Sequence, residues 1–70
     1  MDKQTAISMM MQGKKVTHRY LSPWEWVTMK GRNYLFEDGV VCTPDMFWFD
    51  RQGPNWETDW EIWEPQPYMH

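Results

Sequence analysis

Six tryptophans in a chain of 70 residues set the terms on which it can fold. With three tyrosines and three phenylalanines, aromatic residues make up 17% of the sequence. At this length folding hides only roughly 60% of the surface that the unfolded chain exposes, so a core must come from few, large side chains. Aromatic rings meet that need, and seven methionines add adaptable apolar volume around them. One small core does not absorb every ring, because each buried indole N–H also needs a partner. Rings beyond the core point to a surface that grips a ligand or another protein.

Other supports for a small fold are scarce. Cys42 is the single cysteine, so no intramolecular disulfide forms, and His18, His70 and Cys42 lack zinc-ligand spacing. Neither a metal nor a cofactor is expected, which leaves self-association as an aid to a marginal domain. The lone cysteine fits a reducing compartment. No apolar run after Met1-Asp2-Lys3-Gln4 reads as a signal peptide, and no stretch is long enough to span a membrane. The expected location is the cytoplasm. The formal net charge is −3. Lys14, Lys15, Arg19, Lys30 and Arg32 lie in the first half and the acids gather later. That balance argues against duplex DNA as a partner but permits a local basic pocket.

Local signals place the elements. Asp2 caps a helix over residues 3–12, with Ala6, Ile7, Met10 and Met11 on one face and Gly13 as the C-terminal stop. Residues 15–20 alternate as a strand, Val16, His18 and Tyr20 facing one way and Thr17 and Arg19 the other. Ser22-Pro23-Trp24-Glu25 reads either as a capping box or as a tight turn, and a turn or single helical turn is preferred. Residues 26–42 form a three-stranded meander through turns at Lys30-Gly31-Arg32-Asn33 and Glu37-Asp38-Gly39. Thr43-Pro44-Asp45 opens a second helix that runs to about Arg51 and is broken by Gln52-Gly53-Pro54-Asn55. Trp60–Trp63 is the last strand, with Trp60 and Ile62 on one face. The fold class is therefore α+β: a small antiparallel sheet of about four to five strands with an N-terminal helix and a second short helix. Residues 1–64 form a single compact domain, and 65–70 a loosely ordered tail.

Catalytic constellations are thin. Ser8 or Ser22 with His18 lacks the context of an activated nucleophile. Cys42 sits in an apolar strand, where an inert thiol is the common outcome. The pairs Glu37-Asp38 and Glu57/Asp59 read as solvated turns, and the four glycines form no phosphate-cradling loop. The chain is read as a binding protein and not an enzyme. His18 is expected to be a hydrogen-bonded structural residue. Arg19 has two readings of equal weight, a bidentate anion contact or a surface arginine lying on an aromatic ring.

The run Ala6-x-x-x-Met10-x-x-Gly13-Lys14-Lys15-Val16 resembles the opening of the small phage proteins that counter the Thoeris defence by sponging its nucleotide signal, the second-described family of that kind. Asp59-Trp60-Glu61-Ile62 is similar to their closing acidic strand, and an anti-CRISPR protein with the same opening is similar too. The likeness covers about residues 4–26 and 56–63. The family's arginine follows its valine by two residues, whereas Arg19 follows Val16 by three, which on an alternating strand is the other face. The resemblance implies a homo-oligomer, a tetramer in the family, that holds a cyclic nucleotide or ADP-ribose-type signalling molecule between subunits without cleaving it. Under this reading the ligand-binding candidates are Arg19, Tyr20, Trp24, Trp26, Arg51, Asn55 and Trp56, rings to stack on bases and arginines to take phosphates.

The alternative is an acidic protein-binding inhibitor of a host defence protein or nuclease. Glu57, Asp59, Glu61 and Glu64 would mimic nucleic acid, with an exposed aromatic strand Trp60–Trp63 as the hot spot. A small subunit of a larger assembly is a third possibility.

Overall fold

The computed structural model describes residues 1–65, so of the expected tail all but Pro65 lies outside the described residues. The chain forms the α+β fold read from the sequence: two helices and one five-stranded antiparallel sheet.

Helix α1 spans Lys3–Met11. The Asp2 carboxylate accepts the Thr5 N–H at 2.8 Å, and that bond holds its carboxyl below the ordinary value. At the other end the Gly13 N–H reaches the Met10 carbonyl at 2.9 Å and the Lys14 N–H reaches the Met9 carbonyl at 3.0 Å. This double closure requires a left-handed residue, and Gly13 supplies it with φ 85°. Ala6 and Met10 are fully buried, while Met11, expected on the apolar face, ends the helix 70% exposed.

The strands are β1 (Val16–His18), β2 (Val27–Lys30), β3 (Asn33–Phe36), β4 (Val41–Cys42) and β5 (Trp60–Ile62), in the order β4-β3-β2-β1-β5. β2, β3 and β4 make the expected meander, starting at Val27 and not at Trp26. Lys30 pairs with Asn33 across a two-residue turn in which Gly31 takes φ 65°. At the next turn the Asp38 carboxylate accepts the Val40 N–H at 3.0 Å. β5 returns to the opposite side and pairs with β1, placing Thr17 beside Glu61 and His18 beside Trp60.

Helix α2 covers Pro44–Phe49, with the Thr43 hydroxyl accepting the Met46 N–H at 3.3 Å. It stops short of the expected Arg51, whose N–H bonds the Trp48 carbonyl three residues back at 3.1 Å, and side chains satisfy carbonyls left free at this end. Arg51 Nη1 donates to the Phe47 carbonyl at 3.1 Å and Gln52 Nε2 to that of Phe49 at 3.0 Å. A 3₁₀ turn, Pro54–Trp56, leads on towards β5.

Both helices lie on one face of the sheet, α1 against β1, β2 and β5, and α2 against β3. Between the layers sit Ala6, Met10, Val16, Val27, Tyr34, Phe47 and Trp60, with His18 buried among them. Trp60 is not part of an exposed hot spot, as the acidic-inhibitor alternative expects; its residue is fully buried. Its ring centroid is 4.8 Å from that of His18, 5.5 Å from Trp48 and 5.9 Å from Trp56, and its Nε1 donates to the Trp56 carbonyl at 2.8 Å. On the outer side its N–H donates to the Met1 carbonyl at 3.0 Å.

Replacing Trp60 with alanine is expected to cost about 3–5 kcal/mol, enough to abolish folding in a domain whose whole stability is roughly 0.05–0.15 kcal/mol per residue. Trp24→Ala, by contrast, removes a ring that is 59% exposed and is expected to shift the urea midpoint little. Equal destabilisation by the two variants would contradict this core assignment.

Tyr34, 2% exposed, gives a second check. Burial raises its phenol above the ordinary value, while the bond from Trp48 Nε1 at 2.9 Å pulls the other way. The stability this contributes is complete below the unfolded-state value of about 10 and is lost as pH rises through the raised folded-state value. Urea midpoints measured across the alkaline range are expected to fall, and to fall less steeply in Tyr34→Phe.

Candidate functional site

β1 ends at His18, two residues earlier than the alternation predicts. Arg19 and Tyr20 therefore begin the β1–β2 loop, and Tyr20 turns outward with 53% exposure. The cause is His18, whose Nδ1 accepts the Tyr20 N–H at 3.1 Å and so diverts that amide from the strand ladder. Nε2 is shared between the Asn55 carbonyl at 2.9 Å and the Thr58 carbonyl at 2.8 Å. Together these contacts are those of the Nε2–H tautomer. The ring is the hydrogen-bonded structural residue expected, and it joins the β1–β2 loop to the segment before β5.

Further ties hold the loop. The Leu21 N–H bonds the His18 carbonyl at 2.9 Å and the Glu25 N–H bonds the Ser22 carbonyl at 2.9 Å. The Glu25 carboxylate reaches back to the Ser22 N–H at 3.1 Å, half of a capping box around a tight turn. Trp63 Nε1 donates to the Pro23 carbonyl at 2.9 Å. Tyr20 and Trp24 nevertheless remain exposed on this fastened loop.

Five of the seven residues proposed from sequence form one chain of neighbours. The Arg19 guanidinium lies 5.7 Å from the Tyr20 ring. Tyr20 meets Trp56 edge to face at 5.5 Å, and Trp56 lies over His18 at 4.3 Å and 31°. Arg51 follows, 5.6 Å from Trp56 and 4.2 Å from Phe47. Asn55 joins through its carbonyl bond to His18. Trp24 stands further along the same loop. Trp26 does not join them: it is half-buried beside Lys15, whose Nζ is 4.3 Å from its ring, and Trp63 at 6.1 Å.

Sequence reasoning missed the partner of Arg19. Its Nη1 is 3.4 Å from the carboxylate of Asp59, a residue held at φ 70°, a conformation aspartate tolerates better than most. Nothing local in the sequence links positions 19 and 59; only the β1–β5 register does. The pair is exposed, so it is worth at most about 1 kcal/mol and yields readily to a competing anion.

Cys42 and His18 do not meet. Their strands are three spacings apart in the sheet, about 14 Å. Burial also pushes the Cys42 thiol up, away from the thiolate form, although nearby Arg51 works against that shift. Among the described residues no three His, Cys, Asp or Glu side chains converge in a metal-binding group, and no helix is long and apolar enough to cross a membrane. Compared with family models, curated proteins and solved structures, the chain matches none.

Replacing His18 with phenylalanine keeps a ring but strands the Tyr20 N–H and the carbonyls of Asn55 and Thr58. The expected cost is about 1–3 kcal/mol, with faster hydrogen exchange at the Tyr20 amide. Unchanged exchange there would show that the loop is held by other means.

Proposed function

We propose that this chain is a non-catalytic binding protein that sequesters a cyclic nucleotide or ADP-ribose-type signal through the β1–β2 loop. The observation that carries this reading is a fastened loop that still exposes two large rings beside an arginine. Loops on a rigid scaffold are where binding residues concentrate, and a loop ordered before binding loses little entropy on binding. Tyr20 and Trp24 offer faces for bases, each worth about 1–3 kcal/mol by stacking. Arg19 exchanges its exposed aspartate for a phosphate, and Trp56 backs Tyr20 from inside. The resemblance of the chain's opening to the Thoeris anti-defence proteins agrees with this chemistry. It places such a protein in the cytoplasm of an infected bacterial host, acting as a homo-oligomer in which neighbouring copies complete the pocket.

A second reading is supported by the exposed acids Glu57, Asp59, Glu61 and Glu64, spread from the 3₁₀ turn past β5. They fit a partner with a basic surface. Asp59 serves both readings because it pairs with Arg19, so Glu61 and Glu64 separate them more cleanly.

Thermal unfolding followed by tryptophan fluorescence, with a panel of cyclic di- and trinucleotides and cyclic ADP-ribose isomers, tests the first reading. A ligand at about 100 times its Kd stabilises the fold by about 2.7 kcal/mol, a shift of several degrees for a domain this small. Tyr20→Ala or Arg19→Gln is expected to remove the shift, and the double change Glu61→Gln, Glu64→Gln to leave it. No shift with any nucleotide, together with a host protein captured only by the unsubstituted acidic surface, would favour the second reading.

A further inference from the structure

Lys15, the residue before β1, is exposed, yet its ammonium has a defined place. Nζ lies 4.3 Å from the centre of the Trp26 ring and 5.7 Å from that of Trp63. The two rings stand 6.1 Å apart and 50° from parallel, so the cation and the rings form a compact triangle. Both rings are half-buried. Trp63 is held at two points: its main-chain N–H bonds the Lys15 carbonyl at 2.9 Å, and its Nε1 donates to the Pro23 carbonyl at 2.9 Å. Trp26 directly precedes β2. Neither ion pair found among the described residues includes Lys15. The rings, and not a carboxylate, set where its charge sits.

We infer that Trp26 and Trp63 form a site for a trimethylammonium group, in which the Lys15 ammonium is the resident stand-in that such a ligand displaces. An aromatic face attracts a cation through its quadrupole, most strongly when the cation gives up little hydration to reach it. The lysine ammonium is strongly hydrated and carries three N–H donors, and the ring faces offer them no ordinary acceptor. A trimethylammonium group has no N–H to leave unsatisfied, and its methyl groups pack on the indoles while they carry the charge to them. The same negative ring faces disfavour a phosphate or a carboxylate. Lys14 and Lys15 before β1 are balanced by Glu61 and Glu64 on and after the paired β5, so no net positive field turns a cation away. The group can belong to a free choline-like molecule or to a methylated lysine side chain. Neither ring is among those the β1–β2 loop exposes, and the inference stands apart from the nucleotide reading.

Indole N–H resonances of ¹⁵N-labelled protein read the site directly, with the buried Trp60 as an internal control. The probes are choline, its neutral isostere 3,3-dimethylbutan-1-ol, and a short peptide carrying trimethyllysine beside the same peptide unmethylated. The expected result is saturable movement of the Trp26 and Trp63 resonances with a trimethylammonium probe, and none with the neutral alcohol. Response to choline and to the methylated peptide assigns the shared chemistry, and response to one alone names the source. Because Lys15 competes for the rings, Lys15→Gln is expected to tighten binding about threefold to sixfold, the factor by which an exposed contact of this kind keeps the site closed. Trp26→Leu, with folding checked by circular dichroism, is expected to remove the movement at Trp63; if that variant does not fold, Lys15→Gln decides alone. No saturable movement with either trimethylammonium probe, in the protein or in Lys15→Gln, overturns the inference. Equal movement with the neutral alcohol overturns it as well, as does an affinity that Lys15→Gln leaves unchanged.

Discussion

The fold turns on Trp60. Its indole fills the space between the sheet and the helices, and its N–H is satisfied by the Trp56 carbonyl, so the largest side chain in the core carries no unpaired polar atom. A domain this small has little other apolar surface to hide. The rings of His18, Phe47, Trp48 and Trp56 are arranged around it. Both helices and both ends of the chain's described course thus share one contact, and the positions of the outer residues follow from it.

His18 converts that core into a platform. One side of its imidazole is packed against Trp60 and Trp56, while its two nitrogens fasten main-chain groups from residues 20, 55 and 58. The loop after β1 is consequently set by a residue inside the protein, and the rings it carries outward are held in place before any partner arrives. Arg19 and Asp59 sit at the rim of the same junction, where solvent keeps their attraction weak.

Much of the architecture was legible because it is written in local chemistry. Asp2, Gly13, Gly31, Asp38 and Thr43-Pro44 each act on neighbours a few positions away, and each marks a boundary in the structure to within a residue or two. The features that escaped depend on distant neighbours. The alternation puts Tyr20 on the strand face with His18, but the imidazole captures its amide and ends the strand. The acidic-inhibitor alternative takes Trp60 as part of an exposed strand, yet its residue is fully buried, packed against Phe47 and Trp48. Among the candidate site residues, Trp26 stands apart from the others, beside Lys15 and Trp63, neighbours that no local pattern in the sequence reveals. Arg51, one of the arginines the resemblance offers to a phosphate, lays its guanidinium over Phe47.

The pairing of β1 with β5 also governs the order in which the protein can be made. β2, β3 and β4 close through short turns and rely on contacts available as soon as they leave the ribosome. α1 and β1 are synthesised earlier, but the strand and the indole that complete their packing come near the end of the described chain. Distant pairings of this kind close a long loop before they gain anything, and they slow folding. Until β5 emerges, β1 keeps one flank of its backbone open, and in that interval a neighbouring nascent chain competes for the place that β5 will fill.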